Sequence, residues 1–156
     1  MKNCLFFALA ISFLSGCADM SAHNNEQYMD LSKCDMPESN NPGYKTNKDS
    51  FSKLLNSEAG ISSLDVISEK NKIDTLQIIG WNQNVAMSIS ECFRKRKANR
   101  IERVSGEFNK LKESTKKDNE KEALISAFSS WETYVNDPSA DTERDFELKS
   151  SYYKNM

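Results

Sequence analysis

The chain has 156 residues, 21 of them basic and 23 acidic, for a net charge of −2. That near-balance lacks the polycationic signature of a nucleic-acid binder, so no nucleic acid is expected as a partner. The length suits one modest domain.

The first element is a secretory leader. Lys2 supplies a positive n-region, Leu5 to Leu14 an apolar stretch, and small Ser15 and Gly16 precede Cys17. The apolar run is too short for a permanent transmembrane helix, which needs roughly 20 residues. Leu14-Ser15-Gly16-Cys17 resembles a bacterial lipobox, in which Cys17 becomes the acylated first residue of the mature chain. One acyl chain holds a protein only marginally and two or more hold it stably, so lipidation predicts lasting attachment to a membrane. Ala18 after the cysteine fits an outer-membrane destination facing the periplasm.

Cys4 leaves with the leader and Cys17 is committed to lipid, so Cys34 and Cys92 remain. Two thiols in an oxidising compartment pair, and a Cys34–Cys92 bridge would close a loop of about sixty residues, worth ~4 kcal/mol in the chain-entropy model. The one histidine, His23, has no ligand cluster around it, so neither a metal nor another cofactor is expected.

From Ala18 to Asp49 the chain is polar and broken by Pro37 and Pro42-Gly43, which reads as a flexible tether. Between Ser50 and Gly80 the apolar residues predict two short helices. Ser50 would cap the first, carrying Phe51, Leu54 and Leu55 and ended by Gly60; the second would carry Leu64, Val66 and Ile67. Ile73, Leu76, Ile78 and Ile79 follow. The β-branched stretch around Ile78 also suits a strand, but no partner strand is visible in the sequence, so it reads as helix until Gly80-Trp81-Asn82 breaks it.

A longer helix over 84–114 follows from Val85, Ile89, Cys92, Phe93, Ile101, Val104, Phe108 and Leu111 at three- and four-residue steps. A polar turn over 115–119 leads to a helix that Asn119 and Glu122 start in the manner of a capping box. That helix carries Leu124, Ala127, Phe128, Trp131 and Val135 on one face and stops before Pro138. Thr142 and Asp145 introduce a last short helix with Phe146, Leu148, Tyr152 and Tyr153. The expected fold is all-α, a small helical domain built around an antiparallel helix hairpin and preceded by a flexible N-terminal tether. Residues 1–16 are the lipoprotein signal peptide, 17–49 the lipid-anchored tether and 50–156 the helical domain.

Among candidate site residues, the run Arg94-Lys95-Arg96-Lys97, extended by Arg100 and Arg103, is the densest charge in the chain. It reads either as a contact for anionic groups or as a solvated face balanced by Glu91, Glu102 and Glu107. Trp131 sits at core spacing, whereas Tyr134 fits core and interface equally. Carboxylates are plentiful, but no histidine lies in the helical body and no glycine-rich phosphate loop is present, so an enzyme is not expected.

Cys92, Val104, Phe108 and Leu111, followed by Leu124, Ala127, Trp131 and Tyr134, give a pattern that resembles the LprI-like family of bacterial lysozyme inhibitors. The resemblance runs from Cys92 to Asp137, with Phe128, Val135 and Asn136 where the family has Gln, Arg and Asp. It implies a helical hairpin and lysozyme inhibition. Together with the lipobox, the chain reads as a lipid-anchored, periplasm-facing binding protein, with contacts expected at the turn from Glu113 to Asn119 and at an exposed Tyr134. The other expectation is a structural or accessory lipoprotein of an envelope assembly, in secretion, conjugation or surface exclusion.

Overall fold

The computed structural model describes residues 31, 33, 34 and 46–156. The expected leader, Cys17 and most of the tether lie outside the described residues. The body is built from helices α1 (Lys48–Ile79), α2 (Gln83–Ser114), α3 (Asp118–Asn136) and α4 (Ala140–Asn155), with no strand among the described residues. The fold class is all-α, as the periodicity predicts.

Helix α1 corrects the sequence reading. It is one helix of 32 residues rather than two short ones. Asn47, not Ser50, is the N-cap: Asn47 Oδ1 accepts from the Ser50 N–H at 2.9 Å and Ser50 Oγ accepts from the Asn47 N–H at 2.9 Å, a reciprocal capping box. Gly60 does not end the helix but sits exposed in its interior. Its inward face is apolar at Phe51, Leu55 and Ala59, polar at Ser62 and Asp65, and apolar again at Leu76. The polar middle hides the continuity from any search for apolar spacing. Leu64, Val66 and Ile67, the apolar residues of the expected second helix, point to solvent at 63, 47 and 55 % exposure.

Gly80 breaks the chain as expected, at φ 131°, a backbone conformation that only glycine adopts without strain. Asn82 then caps α2 through its side chain, which accepts from the N–H groups of Asn84 and Val85. Helix α3 starts after Lys117, which makes no side-chain cap. Asn119, expected as the cap, lies within the first turn and accepts from the Glu120 N–H at 2.9 Å. Asp118 and Glu120 place negative charge at the positive end of the helix dipole, which supports a start without a cap. Ser139 and Thr142 form a second capping box at the head of α4.

Helices α2 and α3 form the expected hairpin, and α4 packs on α3 and α1 to close a four-helix body. Its core joins Phe51 and Leu55 to Val104, Phe108, Leu124, Phe128, Trp131 and Tyr153. The Phe108 and Phe128 rings stack at 4.1 Å between centroids. Helices α1 and α2 have 32 residues each, and α3 and α4 have 19 and 16. At 1.5 Å per residue, the first pair is about 48 Å long and α3 about 28 Å.

The excess length emerges at one end. Tyr134, in the last turns of α3, meets Ser63 of α1, and the α3–α4 turn lies beside Val66 and Glu69. Beyond that level α1 and α2 continue as a two-helix arm with its own small core of Leu76, Ala86, Ile89 and Phe93. Leu31 packs on this core, and the Lys72 ammonium donates to the Leu31 and Lys33 carbonyls at 3.2 and 3.1 Å. A disulfide joins Cys34 to Cys92, with the two Cα atoms 5.3 Å apart. The bridge thus pins this part of the N-terminal segment to the helical body, as the expected pairing requires.

Candidate binding surfaces

The basic run is divided between the surface and the interior, because consecutive residues on a helix are spread around its axis. Arg94 lies on the surface and holds Glu91 through Nε at 2.8 Å and a terminal nitrogen at 2.7 Å. Lys95 reaches the same carboxylate at 3.6 Å. The Arg94 hydrogen bond holds the Glu91 carboxyl below its ordinary range, and the same bond raises the Arg94 guanidinium. Arg96 turns inward to Asp65 at 2.7 Å and also lies over the Phe93 ring. Lys97, half-buried, lines a cleft of about 380 Å³ together with Asp65, Glu69, Phe93 and Pro138. These four residues do not form one stripe.

Three arginines of α2 instead build an internal ionic ladder with two carboxylates of α1. Arg100, 4 % exposed, donates Nε to Glu58 at 3.1 Å and a terminal nitrogen to Asp65 at 2.6 Å. Arg103 holds the other oxygen of Glu58, and Arg96 both oxygens of Asp65. Burying these charges is tolerable because each carboxylate receives two guanidinium groups. Glu58 and Asp65 escaped the sequence reading; seven residues apart on one helix, opposite Arg96, Arg100 and Arg103 on another, they carry a signal visible only once the two helices are paired.

Tyr134 is not exposed. It is 4 % accessible, stacks on Phe146, and its hydroxyl meets Ser63 Oγ. Helical spacing with Trp131 and Val135 places it in the core, which removes it as a contact residue. Glu113 and Asn119 are exposed at the α2–α3 turn, with Lys116, Lys117 and Asp118 between them. Near the same end, Thr46 and Lys110 both donate to Glu107; the Lys110 bond, then that of Thr46, holds this carboxyl below its ordinary range.

The opposite end, the arm tip, is apolar and exposed: Ile78 at 85 %, Trp81 at 59 % and Met87 at 62 %. In the sequence, Trp81 reads only as part of a helix break. From Thr75 to Ser90 the chain has no Lys, Arg, Asp, Glu or His, although 28 % of the whole is charged. That gap was the available signal.

Comparison with protein-family models, with curated proteins and with solved structures finds no match. The residues that carry the LprI-like resemblance, Cys92, Val104, Phe108, Leu111, Leu124, Ala127, Trp131 and Tyr134, are all buried. They describe how the hairpin packs, and none reaches a surface that a partner would touch.

Proposed function

We propose that this chain is a lipid-anchored, non-enzymatic binding protein of the bacterial envelope that presents the α2–α3 turn to a protein partner. The lipobox-like Leu14–Cys17 supports the anchor, and the Cys34–Cys92 bridge fits an oxidising compartment. The observation that carries the reading is the placement of the turn. It stands about 33 Å along α2 from Cys92, where the N-terminal segment is clamped to the body, so it faces away from the anchored end. Its side chains are charged and exposed, and they sit on a rigid helix pair.

The resemblance makes lysozyme the first partner to test, with Glu113 and Asn119 as contacts. Purified protein at stoichiometric amounts is expected to slow lysozyme lysis of cell walls, and Glu113→Lys with Asn119→Ala to weaken that effect. Undiminished lysis across several lysozyme classes removes this partner. Pull-down from envelope extracts then tests the wider reading: retention of a protein that the same double substitution does not change would sink the assignment of the turn.

A second reading, an accessory lipoprotein of an envelope assembly, draws on the exposed Leu64, Val66 and Ile67 along α1. It predicts that a membrane complex co-purifies with the lipidated chain and is lost from a Cys17→Ser variant.

A further inference from the structure

We propose that the tip of the α1–α2 arm, with Ile78 and Trp81 at its apex, rests in the interfacial layer of the membrane that holds the Cys17 lipid; this rests on the anchored reading above. Two independent observations meet here. The first is chemical. The Thr75–Ser90 stretch wraps the tip without a single formal charge, and it exposes an isoleucine, a tryptophan and a methionine among Asn and Gln side chains. Tryptophan favours the boundary between headgroups and acyl chains, where its ring is apolar and its N–H stays wet. Charge returns only at Asp74 and Lys72 on one helix and at Glu91, Arg94 and Lys95 on the other, a turn or more back from the tip. Lys72, Lys95 and Arg94 of that collar suit the anionic headgroups above an inserted tip.

The second observation is where the chain enters the body. Cys34 is fixed at Cys92, while Leu31 packs on Leu76, Ala86, Ile89 and Phe93, closer to the tip. The first described residue of the N-terminal segment, Leu31, therefore lies on the arm and not on the four-helix body. Lys72, which holds the Leu31 carbonyl, lies about 10 Å along α1 from Ile79. The ~14 residues between Cys17 and Leu31 span up to about 50 Å when fully extended, enough to let the tip meet the membrane that holds the lipid. An apolar tip beside the exit of a lipidated chain is brought to the bilayer by its own anchor, and needs little further attraction to stay there.

The test uses the full lipidated protein reconstituted into phosphatidylethanolamine–phosphatidylglycerol vesicles whose acyl chains carry bromine. The chain has two tryptophans, and Trp131 is fully buried in the helical body. Bromine within the acyl region is expected to quench most of the Trp81 emission, and a Trp81→Phe variant to lose that quenching while its helical circular dichroism stays unchanged. Full Trp81 emission in protein that floats with the vesicles overturns the proposal. So does a Trp81 that is both unquenched and shielded from acrylamide, because a second copy or a protein partner then covers the tip. Intact-mass analysis separates the two readings. Lipid on Cys17 without quenching sinks the tip contact alone, whereas an unmodified Cys17 sinks the anchor and the tip contact with it.

Discussion

Arg100 and Asp65 meet at 2.6 Å between α1 and α2, with Arg100 almost completely withdrawn from water. The contact lies between the aromatic core of the four-helix body and the small core of the arm, so it joins two apolar regions through charge. Removing one partner strands the others in a medium that solvates them poorly. Arg100→Met is therefore expected to destabilise the fold by about 3 kcal/mol or more, since Glu58 and Asp65 each lose a guanidinium. Arg94→Ala, which disturbs only a surface pair with Glu91, is expected to leave the urea midpoint where it is. Equal midpoints for the two variants would remove the ladder from the account of stability.

The disulfide acts at long range in sequence. Cys34 and Cys92 are separated by 58 residues, and in the chain-entropy model opening such a loop costs about 4 kcal/mol. Reductant should lower the unfolding midpoint accordingly and release Leu31 from the arm. Hydrogen exchange should then rise first at Leu76, Ala86 and Ile89. Non-reducing peptide mass analysis provides the direct check, by finding the Cys34 and Cys92 peptides linked.

Gly60 and Gly106 both lie in helix interiors, and a Cβ added at either meets nothing within 4 Å. Neither has a positive φ. Alanine at each position should stabilise the protein by up to about 1 kcal/mol, because glycine loses more backbone freedom on folding. A loss of stability in Gly60→Ala would argue against one continuous α1.

Tyr153 carries the clearest pH dependence. Burial pushes its phenol up from 10.0 to about 12, with the charges of Glu120 and Asp49 adding to the effect. The unfolded chain ionises first as pH rises, so this contribution to stability is whole below pH 10 and disappears between 10 and 12. A Tyr153→Phe variant keeps the packing and should show a shallower loss of stability across that window. Identical alkaline melting curves for the two proteins would remove this role for Tyr153.

How much of this was legible beforehand differs from helix to helix. Helices α2 and α3 bury apolar residues at regular steps, so Val104, Phe108, Leu124 and Trp131 could be placed from spacing alone. Helix α1 could not, since its middle buries Ser62, Glu58 and Asp65, and a polar residue reads as inward-facing only when its partner is known. Tyr134 was ambiguous for the same reason in reverse: an amphipathic ring at core spacing is assigned by what lies opposite, here Ser63 and Phe146.

By itself the sequence determined the all-α class, the α2–α3 hairpin, the break at Gly80 and the pairing of Cys34 with Cys92, because each depends on local periodicity, backbone freedom or simple counting. Only the tertiary structure decided that α1 runs unbroken, that the basic run is shared between surface and interior, and that the arm outreaches the body. Those outcomes depend on which side chains of distant segments meet, and on the difference in length between helices that pack side by side.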